Sequence, residues 1–168
     1  MAAHQIFSKE IAYRKLQRMA YEIAERNVDQ EEIILAGIKE NGTIIASILV
    51  SFLKDIFKGK VSGIEIAIDK KKPKNISLSE EINFDGKVII VVDDVANSGR
   101  TLLYAVKPFL DFYPKKIQTL VLVERSYKEF PVAPDYVGLS VSTAFTEKII
   151  VETNNHEVEG AKVITSWK

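Results

Sequence analysis

"VIIVVDDVANSGRTL", residues 88–102, runs five apolar residues into two adjacent aspartates, then a small polar loop, then a helix start. A buried strand from Lys87 to Val92 fits the apolar run, and a helix from Arg100 to Phe112 fits the residues beyond the loop. Pro108 should kink or shorten that helix, because it lacks an N–H and clashes with the preceding turn. Burying charge is costly and neighbouring carboxylates repel, so Asp93 and Asp94 call for a cation or hydroxyl groups around them.

Upstream, "EIILAGI" (Glu32–Ile38) and "VSGIEIAI" (Val61–Ile68) predict strands, the first buried on both faces. Downstream, "KIQTLVLVE" (Lys116–Glu124) predicts another. Ser8 to Asn27 predicts an amphipathic helix, with Ala12, Leu16, Met19, Ala20 and Ile23 at helical spacing and Ser8 as its N-cap. Thr43 to Phe57 predicts a strongly apolar helix. The charged stretch "DKKKPKNISLSEEINFDG" (residues 69–86) reads as a long exposed loop, a length that suits a lid or binding segment. Past "RSYKEFPVAPDYVG" lie two short β-like runs, "KIIVE" and "AKVITSW". The β-loop-α order predicts an α/β fold whose sheet is mainly parallel and flanked by helices. In such sheets ligands gather beyond the carboxyl ends of the strands, where Asp93 and Asp94 are expected.

The bulk numbers narrow the class. With 168 residues, one domain over 1–168 is expected, and 46% apolar residues support a packed core. The absence of cysteine excludes disulfides and thiolate metal sites and suits a reducing, cytoplasmic setting. The first residues lack the basic-then-apolar order of a signal peptide, and "TIIASILVSFL" is too short to span a bilayer, so no membrane partner is expected. Twenty-three basic and 23 acidic residues cancel, leaving no global field toward nucleic acid. His4 and His156 are isolated, which argues against a transition-metal site.

The parts around the acidic pair fit a phosphorylated sugar. Carboxylates accept hydrogen bonds from vicinal ribose hydroxyls, and they can support magnesium through water or ligand oxygens. Val95, Ala96, Asn97, Ser98 and Gly99 offer backbone N–H groups that can close around a phosphate, and Ser98 and Thr101 add hydroxyls. Gly99 permits a close backbone approach. Helix initiation at Arg100 adds a favourable dipole.

An apolar strand, two acids, a short loop with Ser before Gly, then Thr: this order resembles the phosphoribosyl-pyrophosphate (PRPP) signature of the type I phosphoribosyltransferases. The order and spacing of "YEIAERN", "ILAGIKENG", "LVLVERSYKEFP", "PDYVG" and "EKIIVE" resemble the bifunctional pyrimidine operon attenuator/uracil phosphoribosyltransferase type. Purine enzymes of the family usually carry aspartate where this chain has Asn97, and an amide cannot act as that base. The resemblance implies a type I phosphoribosyltransferase fold with a small hood from the terminal segments. It implies transfer of ribose 5-phosphate from PRPP to a nucleobase, uracil first, with release of pyrophosphate. A purine-like base is a weaker reading.

By the same resemblance, Asp93 and Asp94 hold the ribose and residues 95–101, Arg100 and Thr101 included, hold the 5′-phosphate. Lys39, Glu40, Asn41 and Gly42 meet pyrophosphate, where relatives commonly read Lys-Thr-Arg-Gly. Lys70 belongs to a mobile catalytic loop, Arg125 lies at a strand end near the substrate, and the backbone around Ile149 lies beside the base. Mg2+ would be held mainly through PRPP, with no dedicated protein site. A homodimer is implied. So, as the alternative, is an RNA-binding regulator that senses PRPP or a nucleotide with little turnover. Arg14 and Arg18 could serve RNA, but Glu10 and Glu22 stand four residues away from them, and helix-surface ion pairs explain both.

Overall fold

Apolar residues at odd and even positions of the same strands build two cores, one on each face of a sheet. In β2 (Glu32–Ile38), Ile33 and Leu35 face one core while Ile34, Ala36 and Ile38 face the other. β5 (Val88–Ala96) repeats the pattern, with Val88, Ile90 and Val92 against Ile89 and Val91. A strand buried on both faces needs helices on both. The first face is covered by α1 (Lys9–Arg26), through Leu16, Met19 and Ile23, and by α2 (Asn41–Ile56), through Ile45, Leu49 and Leu53. The second is covered by α3 (Arg100–Ala105) and a 3-10 turn over Lys107–Asp111, where Leu102 and Phe109 pack with Phe84. The computed structural model describes residues 3–165. Trp167, whose place in the core or in a dimer contact its sequence leaves open, lies outside them.

The six-stranded sheet runs β4-β3-β2-β5-β6-β7, with β3 at Lys60–Ile68, β4 at Ile76–Leu78, β6 at Lys116–Arg125 and β7 at Tyr136–Val141. All neighbours are parallel except the edge strand β4, which is antiparallel to β3. From β2 the chain moves outward to β3 and β4, then returns to β5 on the other side and continues to β6 and β7. The reversal leaves a crevice between the carboxyl ends of β2 and β5, where open α/β sheets bind ligands. A second sheet stands over that end. Its order is β1-β9-β8, with β1 at Ala3–Ser8, β8 at Glu147–Asn154 and β9 at Glu157–Thr165, all antiparallel.

Several expectations need correcting. β5 does not stop at Val92, because its ladder with β6 continues through Asp93 opposite Val121 to Ala96 opposite Glu124. The acidic pair therefore stands inside a strand. The helix expected over Arg100–Phe112 ends after Ala105 and gives way to the 3-10 turn that contains Pro108, which is the shortening expected of that proline. The stretch 69–86 is not structureless, since Ile76–Leu78 pairs with Ile66–Ile68. The helix expected from Thr43 begins at Asn41. β1 and β7 have no counterpart among the expected strands: β1 buries only Phe7, and β7 comes after two prolines and carries Gly138.

The two halves of the crevice meet at Gly42. A Cβ there would lie 2.6 Å from the Val92 carbonyl oxygen, so only glycine lets the first turn of α2 reach β5. Gly42→Ala is expected to cost about 1–3 kcal/mol, lowering the melting temperature by roughly 3–10 °C in a thermal melt.

Candidate active site

Beyond the carboxyl end of β5 opens a cleft of about 350 Å3, lined by Lys70, residues 93–102 and Ile149. These come from three separate parts of the chain: the turn after β3, the β5–α3 segment, and β8 of the second sheet. The expected ribose, phosphate, lid and hood residues are thus brought together.

Asp93 is buried, with 2% of its side chain exposed, and Asp94 has 14% exposed. The cation their repulsion requires is Lys70, whose Nζ lies 3.2 Å from Asp93 and 3.7 Å from Asp94. Burial works against the Lys70 ammonium, but the two carboxylates outweigh it and raise its pKa. Asp93 shifts the other way from an ordinary carboxyl. Burial, together with the charge of Asp94, pushes its pKa up to about 8 against the pull of Lys70. Each aspartate also accepts a backbone N–H, Asp93 from Asp94 and Asp94 from Val95, at 2.9 and 2.8 Å. The guanidinium of Arg100 donates to the Lys70 carbonyl at 3.1 Å, tying the turn after β3 to the start of α3.

The loop between β5 and α3 is held from outside. Gly99 sits at φ 85°, in the left-handed region that favours glycine. Ser98 accepts at its carbonyl from the amides of Glu129 and Phe130, both at 3.0 Å. Its hydroxyl accepts from the Arg100 amide at 3.3 Å. Ion pairing of Lys128 with Glu124 at 2.7 Å braces the supporting segment. Sequence reading does not single out residues 124–130 for this support, because their partners lie about 30 positions upstream.

The turn after β2 arrives differently. Lys39 donates its backbone N–H to Ile66, Lys39 and Glu40 are exposed, and Gly42 is buried against β5. None of the four lines the cleft, yet the Asn41 side chain reaches Asp94 at 2.8 Å. Arg125 stands at the end of β6, donates to the Ala144 carbonyl at 3.0 Å, and does not line the cleft either. The arginines of α1 are accounted for locally. Arg14 pairs with Glu10 at 2.6 Å, while Arg18 pairs with Glu22 and donates to the Val137 and Gly138 carbonyls.

Two adjacent carboxylates fit a magnesium ion that brings most of its own ligands, because a hard cation takes oxygen donors and retains several of its own. Among the described residues no group of three or more His, Asp or Glu is placed to hold a metal by itself. No helix among them is long and apolar enough to cross a membrane.

The phosphoribosyl transferase domain family matches residues 2–163. The bifunctional protein pyrR of Enterococcus faecalis (strain ATCC 47077 / OG1RF) is 37% identical over 153 residues, covering 86% of each chain. The pyrimidine operon regulatory protein of Lactococcus lactis subsp. cremoris (strain MG1363) is 32% identical over 167 residues, covering 94% of each. Among solved structures, a hypoxanthine-guanine phosphoribosyltransferase from Bacillus anthracis superposes with a TM-score of 0.73 at 22% identity, over 95% of this chain and 99% of that one. That last likeness concerns the fold.

Proposed function

Because this chain belongs to the phosphoribosyl transferase domain family, we propose that it transfers ribose 5-phosphate from PRPP to a nucleobase, uracil first, releasing pyrophosphate. The observation that carries the reading is the acidic pair with Lys70 against it, next to the Gly99 loop, at the crevice where the strand order reverses. The purine enzyme on the same fold does not decide the base. Asn97 leaves no carboxylate where a purine ring would need one, and the relatives' names point to pyrimidines.

In this reading the chain is one domain, and the β1-β9-β8 sheet is its hood. Asp93 and Asp94 accept hydrogen bonds from the ribose hydroxyls, and the backbone of residues 95–101 holds the 5′-phosphate. Lys70 leaves the aspartates when those hydroxyls arrive and turns its charge to the departing pyrophosphate. Such donors are worth about 10²–10³ in rate when they meet charge that develops in the transition state. Lys39 and the backbone of Glu40–Gly42 meet the same leaving group. The backbone at Ile149 stands beside the base and excludes water from C1 of the ribose. Bound Mg2+ would neutralise the diphosphate and steady its departure.

A second reading, a regulator of pyrimidine genes that binds RNA and senses PRPP or a nucleotide, draws on the relatives' names, one bifunctional and one an operon regulator. Pyrophosphate release from PRPP with magnesium, across uracil, orotate, hypoxanthine, guanine, xanthine and adenine, separates the two. Release with uracil alone is expected. Release with another base would retain the transfer and overturn uracil. No release from a folded protein that still binds PRPP would leave the regulator. A homodimer and a cytoplasmic setting accompany either reading.

A further inference from the structure

Asn41 opens α2 at the end of the turn after β2, and its side chain makes three hydrogen bonds in three directions. Its amide nitrogen donates to Asp94 at 2.8 Å and to the Val151 carbonyl at 3.1 Å, while its amide oxygen accepts from the Thr153 hydroxyl at 2.8 Å. The chemistry fixes the orientation of the amide. A carboxylate and a carbonyl can only accept, so the nitrogen must face both, and the oxygen is left for the hydroxyl. Val151 and Thr153 belong to β8 of the hood, Asp94 to β5 of the main sheet. One side chain therefore joins the two sheets at the ribose carboxylate.

The backbone just before it is unusual. Glu40 sits at φ 77° and ψ −120°, a region a residue with a Cβ rarely adopts. Such strain persists only where surrounding contacts hold it in place, and here it delivers Asn41 to Asp94. With both amide protons and the oxygen engaged, the Asn41 side chain has no donor to spare for pyrophosphate.

We propose that Asn41 is a positioning residue that couples the hood strand β8 to Asp94, so that what occupies the base side of the cleft alters how well the ribose is held. The inference rests on the PRPP reading above and deepens it: the residue acts on the sugar through Asp94, and on the base through the β8 backbone two to four positions past Ile149. A ligand that moves β8 changes the hydrogen bonds that aim the Asp94 carboxylate, and by reciprocity PRPP changes affinity for that ligand.

The test uses the full chain, with PRPP titrated by calorimetry in the absence and presence of uracil, Ca2+ replacing Mg2+ so that binding is read without turnover. A parallel arm tracks amide hydrogen exchange at residues 151–153 without ligand. Uracil is expected to shift PRPP affinity in the wild-type chain, and no shift would overturn the coupling; Asn41→Ala is expected to weaken PRPP about tenfold, to abolish that shift, and to speed exchange at 151–153. Thr153→Val keeps the shape but removes only the hydroxyl, so a roughly threefold loss with reduced coupling is expected, and Thr153→Ser should restore both. A merely structural role would not produce that serine rescue at unchanged melting temperature. Wild-type PRPP affinity and wild-type uracil coupling in Thr153→Val and Asn41→Ala would overturn the inference while leaving the functional reading intact. Failure of the wild-type chain to bind PRPP would instead sink the functional reading. The exchange arm would then decide the bridge alone, with unchanged exchange in Asn41→Ala overturning it.

Discussion

Asp94→Asn should weaken PRPP binding by about ten- to a hundredfold while moving the melting temperature of the free protein by no more than a few degrees. The loss comes from exchanging a carboxylate for an amide in front of ribose hydroxyls. Hydrogen bonds to a charged group are worth about 1.5–3 kcal/mol, and about 1.4 kcal/mol is a factor of ten in affinity. The small thermal effect comes from compensation. The variant gives up the charge that Lys70 and Asn41 address, at 3.7 and 2.8 Å. It also removes the repulsion that helps hold the Asp93 pKa high. The amide oxygen still accepts from Val95, so the β5 backbone keeps its local bond. Calorimetric titration beside a thermal melt checks both halves. Unaltered PRPP affinity would remove the acidic pair from the ribose.

The second large effect is a pH dependence with an unusual sign. Asp93 has a folded-state pKa of about 8, well above an ordinary aspartate near 3.9. Between those two values the folded chain holds a proton that the unfolded chain has released. The stability of the free protein must therefore fall as pH rises through that window, and level off above it. Most acid-paired proteins behave in the opposite way, because salt-bridged carboxylates have depressed values. Here Glu32 and Glu124 are such groups, but, lowered from 4.5, they act only at the acid foot of this window and below it. Urea midpoints at pH 5, 7 and 9 should decline for the native chain, and the decline should flatten in Asp93→Asn. Ligand binding runs the other way. Ribose hydroxyls favour the carboxylate, so PRPP affinity should rise with pH, by up to about tenfold per unit, until the window closes near 8. Calorimetry in two buffers of different ionisation enthalpy should count close to one proton released at pH 7 and close to none at pH 9. Equal counts at both would take Asp93 out of the binding step.

Much of the frame can be read directly from residue order. β2 runs from Glu32 to Ile38 as its apolar run predicts, and α1 begins after the Ser8 cap, whose hydroxyl accepts from Ile11. The link from Asp93–Asp94 to Gly99 is legible because adjacent acids, small residues and a left-handed glycine are all local features. Whatever depends on distant partners escapes. β7 hides behind Pro131 and Pro134 and becomes a strand by pairing with β6. β1 has one buried residue of its own and exists through β9. The polar Asp93 and Asp94 look like a strand end, yet the parallel ladder carries them two residues further in. Asn41 is the sharpest case. Nothing around position 41 announces that its partners stand 53, 110 and 112 residues away.

The β1-β9-β8 sheet joins distant stretches of the chain: residues 3–8 find their partners only at 160–164. A chain emerging from the ribosome can assemble the six-stranded sheet once β7 has been made, yet β1 must wait, unpaired, until residues 160–164 follow. The roof over the cleft thus closes last. A nascent product that has not yet reached β8 would present a nearly complete floor of the cleft beneath an open top, and Asn41 would have Asp94 to grip but no β8. Closure of the cleft from above is thereby tied to synthesis of residues 147–165, long after its floor is in place.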